Sequence, residues 1–143
     1  MTNFDPTTFN RDLIADLRAH GGRATSGPFE GRDVLILTTR GAKSGELRES
    51  PLAFSKQGDR YVVVASKAGA DTHPAWYHNL VANPTVTVEV LGERFEARAQ
   101  VYAEANEERR RIYDEHGKIG PAFAEYEQKT NRVIPAVALE RLE

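Results

Sequence analysis

The chain has no cysteine. That excludes disulfides, thiolate catalysis and Cys-held zinc or iron–sulfur centres, and it suits a reducing cytoplasm, where the protein is expected to work. No apolar run approaches the ~20 residues of a membrane span, and no signal-peptide pattern is found. Strong charge of either sign is missing too: 19 Lys and Arg stand against 21 Asp and Glu, a formal net charge of −2. Nucleic-acid binders are usually strongly basic, so nucleic acid is not an expected partner and any positive site must be local. His73 and His78 do not share a helical face, and His20 and His116 are remote, so no metal centre is expected. A hydrolase built from Ser66, Asp71 and His73 lacks a G-x-S-x-G elbow. Repeats and low-complexity segments are absent.

What remains is a chain of 143 residues, 40% hydrophobic and 28% charged, expected to bury about 70% of its unfolded surface around one core. Phe9, Leu13, Ile14 and Leu17 fall at helical spacing before Gly21-Gly22, which predicts an amphipathic helix over residues 7–20. Such a stripe usually meets the core; a membrane surface or a partner protein is the alternative. Gly21 to Arg32 reads as a linker, so residues 1–32 form an N-terminal helix and linker and residues 33–143 a barrel domain. Strands are expected over 33–39, 47–55, 60–66, 85–91, 94–102 and 133–139. The fourth and fifth make a hairpin turning at Gly92-Glu93. Pro135 suggests that the last strand lies at an edge or carries a bulge. Helices are expected over 74–82, 104–115 and 121–129. The fold class is α+β, an antiparallel barrel of about six strands with peripheral helices.

Two segments carry chemistry. In T-T-R-G-A-K-S-G-E-L-R-E-S (Thr38 to Ser50), an apolar strand runs into a turn containing Gly41 and Gly45, with Arg40, Lys43 and Arg48 around it. Glycine allows the tight backbone, and the cations stand beside exposed amides, a combination suited to a phosphate or carboxylate. The spacing is not that of a Walker A loop, and a surface hairpin with incidental charges is the plainer reading. The second segment, A-S-K-A-G-A-D-T-H-P-A-W-Y-H-N-L (Ala65 to Leu80), opens from a buried strand into a Gly loop and then a helix starting at Pro74. Such a loop aims backbone N–H groups at one point, and Lys67 adds charge. Trp76 is either core or a flat wall for a ring. Tyr126, three residues after Phe123, either packs in the core or covers a ligand.

Together with a late T-N-R-x-I-P, these segments closely resemble the deazaflavin (coenzyme F420)-dependent nitroreductase and quinone reductase family of actinobacteria, from about residue 33 onward. The resemblance implies a split β-barrel like that of flavin-mononucleotide oxidases. It also implies transfer of a hydride from reduced F420 to quinone-like, α,β-unsaturated or nitro acceptors, with the protein polarising the acceptor. Carried over residue by residue, Lys43, Ser44, Gly45 and Arg48 would hold the coenzyme phosphate. Ala65, Ser66, Lys67 and Gly69 would line the deazaflavin, and Pro74, Trp76, Tyr77 and Asn79 would pack beside the ring. Ser66 would polarise the acceptor and Tyr126 supply a proton. The chain departs from the pattern at Ala42, where many relatives have a second cation, at Ala53, and at Gly120, where a tyrosine is expected. Those departures make bulky nitroimidazoles poor candidate substrates. The competing readings are a flavin-mononucleotide oxidoreductase on the same barrel, a non-catalytic F420 carrier, and a structural or membrane-associated partner protein. A homodimer is compatible with barrels of this kind.

Overall fold

The computed structural model describes residues 6–142. Seven strands form one sheet: β1 (Leu35–Arg40), β2 (Leu47–Leu52), β3 (Ser55–Gln57), β4 (Arg60–Val64), β5 (Thr85–Val90), β6 (Glu93–Tyr102) and β7 (Ala136–Arg141). The spatial order is β2-β1-β5-β6-β7-β4-β3, and every neighbouring pair is antiparallel. Four helices decorate it: α1 (Pro6–Ala19), α2 (Ala75–Ala82), α3 (Glu107–His116) and α4 (Ala122–Gln128).

Sequence pattern explains the layers. The runs Val34–Leu37, Val62–Ala65 and Ala136–Leu139 are apolar at every position because both faces of those strands are covered. Inward side chains, among them Leu35, Leu37, Val63, Val88, Phe95 and Leu139, meet Trp76, Tyr77 and Leu80 of α2 inside the barrel. On the outer face of β4 and β7, Val62, Val64, Ala136 and Ala138 pack under Ile112 and Tyr113 of α3. There His116 is fully buried, its Nδ1 2.8 Å from the Ser55 hydroxyl and its ring edge-on to Phe123. On the outer face of β1, Val34 and Ile36 take Leu13, Ile14 and Leu17 of α1. The apolar stripe of α1 is thus occupied by the sheet, and the Arg18 guanidinium pins the helix by bonding Glu49 on β2 and Glu89 on β5. No described helix is long and apolar enough to cross a membrane.

The structure corrects four expectations. The strand expected over 47–55 is two strands, because β2 and β3 occupy opposite edges of the sheet. The chain changes edge at Ala53-Phe54 and curls the sheet towards closure, which makes seven strands rather than six. The last strand starts after Pro135 and lies between β6 and β4, neither at an edge nor bulged. Pro135 stands just outside the strand, where it needs no N–H, and its carbonyl accepts from the Ala65 N–H at 2.9 Å. The hairpin turns at Leu91-Gly92, both with positive φ, so that Val90 pairs with Glu93. Finally, α3 begins at Glu107 because the Asn106 side chain caps it, accepting from the Arg109 N–H at 2.9 Å.

Alternate strands of an all-antiparallel ladder point the same way. β1, β6 and β4 are therefore codirectional, and the segments following each leave one end of the barrel. So do the segments that feed β2, β5 and β7. That end carries the glycine turn 41–46, the loop 65–74 with α2, the pair α3–α4, and the segment 129–135.

Candidate functional site

The glycine turn is built tightly. The Gly41 N–H donates to the Glu46 carbonyl at 2.7 Å, and the Gly45 N–H to the Gly41 carbonyl at 3.0 Å. Gly45 has φ +73°, and a Cβ on Gly41 would stand 2.5 Å from Ser44 Oγ. The Ser44 hydroxyl accepts from the Glu46 N–H at 3.1 Å, and Arg40 closes the turn by donating to the Gly45 carbonyl at 2.8 Å. Arg40 is therefore spent on the turn itself. Lys43 is exposed and has no partner among the described residues. Arg48 is exposed and paired with Glu46 at 3.0 Å, a solvated contact that an incoming anion could replace at little cost. The backbone N–H groups of Lys43 and Ser44 make no hydrogen bond within the described chain.

α2 holds this turn from behind. Pro74 stands immediately before its first residue, and Asn83-Pro84 ends it. The buried Asn79 side chain accepts from the Ala42 N–H at 3.0 Å and donates to Thr39 Oγ1 at 3.2 Å. Asn79 thus ties the turn to β1 and α2 through both ends of its amide. Trp76 and Tyr77 point into the barrel core. For Trp76 this is the packing alternative; its indole supports the helix.

The second loop leaves β4 through Ala65 and Ser66. Lys67, Ala68 and Gly69 follow with φ of 46°, 54° and 84°, three successive left-handed residues, two of them not glycine. Non-glycine residues pay roughly 1–2 kcal/mol each for that conformation. The loop is held by what surrounds it. The Gly69 N–H donates to the Ser66 carbonyl at 2.9 Å and the Ala70 N–H to the Lys67 carbonyl at 3.1 Å. Gly69 presses on α4: an added Cβ would lie 3.0 Å from Lys129 Cβ and 3.1 Å from the Tyr126 carbonyl. From the segment before β7, Thr130 donates to Asp71 at 2.8 Å, and the Arg132 guanidinium bonds the carbonyls of Ala65, Ser66 and Ala70. Arg132 also reaches His73 Nδ1 at 3.0 Å. Burial, the Arg132 charge and His78 together keep the His73 pKa below its ordinary value, so this ring accepts while neutral.

The N–H groups of Lys67 and Ala68 have no partner within the described chain, and Ser66 Oγ makes no hydrogen bond there. Lys67 leans on Thr72 at 3.2 Å and is exposed. Tyr126, half-buried in α4, packs against Phe123 and lies against this loop. Lys43, Ser44 and Gly45 in one turn with Arg48 at the start of β2, and Ala65, Ser66, Lys67, Gly69 and Tyr126 around the other loop, are thus carried at one end of the barrel, with Pro74 capping α2 and Trp76, Tyr77 and Asn79 on it. Each loop offers two successive free amides and a lysine, a donor set suited to an extended ligand with anionic groups at separated points. Among the described residues no three metal-ligating side chains cluster. The part that sequence reading missed is Arg132. It stood in the T-N-R-x-I-P pattern without a role, and only tertiary pairing across more than 60 residues reveals its partners Ala65, Ser66 and Ala70.

The profile of the F420H(2)-dependent quinone reductase family matches residues 9–141. An F420H(2)-dependent quinone reductase of Mycobacterium tuberculosis (strain H37Rv) is 36% identical over 108 residues, 75% of this chain and 72% of that protein. The structure of an F420-H2 dependent reductase (FDR-A) superposes with a TM-score of 0.67 and 38% identity, over 75% of this chain and 93% of that one. A domain-swapped dimer with 34% identity superposes at 0.70, covering 95% of this chain and all (100%) of that one. The family profile spans nearly the whole chain, and with these relatives it shows that the chain belongs to the F420H(2)-dependent quinone reductase family.

Proposed function

We propose that the two loops hold coenzyme F420 across one end of the barrel, and that quinone-like, α,β-unsaturated or nitro compounds are the acceptors. Membership of the family makes the chain an F420H2-dependent oxidoreductase. The observation that carries the residue roles is the pair of free-amide loops: Lys43-Ser44 and Lys67-Ala68 each present unpartnered N–H groups beside a lysine. A coenzyme with a phosphate and a glutamate tail fits that donor set. Lys43, Ser44, Gly45 and Arg48 would receive the phosphate, with Arg48 exchanging Glu46 for it. Ala65, Ser66, Lys67 and Gly69 would line the ring and polar chain, backed by Pro74, Trp76, Tyr77 and Asn79. When bound, the reduced deazaflavin supplies a hydride. The chain's own part is to fix the acceptor, with the Ser66 hydroxyl and the loop amides donating to the oxygen that gains charge, and the Tyr126 hydroxyl supplying the proton that follows.

The domain-swapped relative supports a homodimer here. The cysteine-free sequence supports a reducing compartment such as the cytoplasm. A membrane contact is not part of the proposal, because the sheet occupies the apolar face of α1.

Fluorescence titration with F420, beside a Lys43→Ala/Arg48→Ala double variant, tests the coenzyme cradle. Two charge-assisted contacts are lost, so affinity should fall by roughly 10²-fold or more. Oxidation of F420H2 with menadione then tests turnover. Unchanged affinity in the double variant would refute the assigned cradle. Binding without turnover on any acceptor class would leave a carrier, and binding of flavin mononucleotide in place of F420 would overturn the reading altogether.

A further inference from the structure

Arg132 is a half-buried guanidinium with no carboxylate within ion-pair distance among the described residues. All its hydrogen bonds go to neutral groups of the loop after β4. Nε donates to the Ala70 carbonyl at 2.8 Å, Nη2 to the carbonyls of Ala65 at 3.0 Å and Ser66 at 2.8 Å, and Nη1 reaches His73 Nδ1 at 3.0 Å. Four acceptors spread over residues 65–73 are thus gathered by one rigid fork.

The consequence follows from peptide geometry. In a trans peptide the C=O of one residue and the N–H of the next point in opposite directions. With the Ser66 carbonyl drawn to Arg132, the Lys67 N–H is turned away from it. The Lys67 carbonyl is taken by the Ala70 N–H, which orients the Ala68 N–H in turn. The two free amides of the loop therefore owe their direction to bonds made on the loop's other side. The Arg132 charge, partly countered by the Asp71 carboxylate nearby, stands behind them.

We propose that Arg132 is a positioning residue for coenzyme binding. It holds residues 65–73 in the left-handed arrangement that presents the Lys67 and Ala68 amides, without itself being needed as a contact. This rests on the F420 reading given above.

The variants Arg132→Lys, Arg132→Met and Arg132→Ala are compared with wild type in three measurements: F420 affinity by fluorescence, melting temperature, and the rate of tryptic cleavage after Lys67 in the coenzyme-free protein. An ammonium keeps the charge but cannot span four acceptors, so Arg132→Lys should bind F420 about 10-fold more weakly or worse, and Arg132→Met weaker still. Cleavage after Lys67 should quicken in all three. Millimolar methylguanidinium should restore part of the affinity of Arg132→Ala and leave wild type unchanged. His73→Leu removes one of the four acceptors and keeps the rest, so it should give a smaller loss of the same kind even where an Arg132 variant folds poorly. Wild-type affinity and tryptic protection in Arg132→Lys would overturn the proposal. So would losses of affinity that follow melting temperature and ignore methylguanidinium. Failure of the wild type to bind F420 would sink the coenzyme reading instead, while the tryptic rates would still decide whether Arg132 orders the loop.

Discussion

Asn79→Ala separates the scaffold of the glycine turn from its charges. Asn79 is 8% exposed, and Thr39, its partner on β1, is 1% exposed. The substitution deletes the 3.0 Å bond from the Ala42 N–H and the 3.2 Å bond to Thr39 Oγ1. Two net hydrogen bonds are worth about 1 kcal/mol each, and a stranded buried hydroxyl adds about 1 kcal/mol or more. The total is about 2–4 kcal/mol, which for a domain of this size lowers the melting temperature by roughly 6–12 °C. Thermal melts of Asn79→Ala, Thr39→Val and the double variant measure it, and the cycle should return a coupling of about 1 kcal/mol. F420 affinity should fall as well, although Lys43 and Arg48 are untouched, because the turn that carries Lys43 and leads to Arg48 loses its tie to α2. A melting temperature within about 2 °C of wild type, or strictly additive single effects, would refute the tether.

Two further outcomes are expected. Gly69→Ala puts a Cβ at φ +84°, 3.0 Å from Lys129 Cβ and 3.1 Å from the Tyr126 carbonyl. It should destabilise by about 2 kcal/mol or more and weaken F420 binding; a variant that melts and binds like wild type would show that the loop yields freely. His116 gives a pH dependence. Burial pulls its pKa from 6.5 down to about 4, outweighing the Val62 backbone carbonyl. The unfolded chain then takes up this proton near pH 6.5 and the folded chain only near pH 4. Stability is therefore full above the upper value and lost as pH falls through the window, by up to ~3 kcal/mol. Melting curves across that range should be steeper for wild type than for His116→Gln, and parallel curves would refute the assignment.

Much of this architecture is legible in the chain because the relevant signals are local. The period-two pattern of Val86, Val88 and Val90 against Phe95, Ala97 and Ala99 fixes the β5–β6 hairpin, and Pro74 with Asn83-Pro84 brackets α2. Both candidate loops are legible for the same reason, since glycine and lysine at fixed spacing state a backbone and a charge. What escapes is whatever depends on distant pairing. β3 is three residues long with only Ser55 buried, too short for a periodicity, and exists because Val62 and Arg60 of β4 bond it. Pro135 looks like an edge marker until the neighbouring strands are known. Trp76 offers the same indole to a core or to a cofactor, and only the barrel around it decides. Asn79 stands out in its motif, but its ties to Thr39 and to the Ala42 N–H show only once the fold is known.

The position of β7 bears on how the chain is assembled during synthesis. Residues 136–141 are made after every other described strand, and they fill the gap between β6 and β4. Until they emerge, the nascent chain holds two separate pieces, the four-stranded β2-β1-β5-β6 and the hairpin β3-β4, each with an open edge where β7 will sit. The pieces are joined covalently only at Ala53-Phe54 and through α2. Arg132, a few residues ahead of β7, arrives just before the strand, so the loop it orders cannot take its final form earlier either. Synthesis of residues 132–141 thus completes the sheet and brings Arg132 to the loop after β4 together, and a chain stalled before them would carry two unpaired edges.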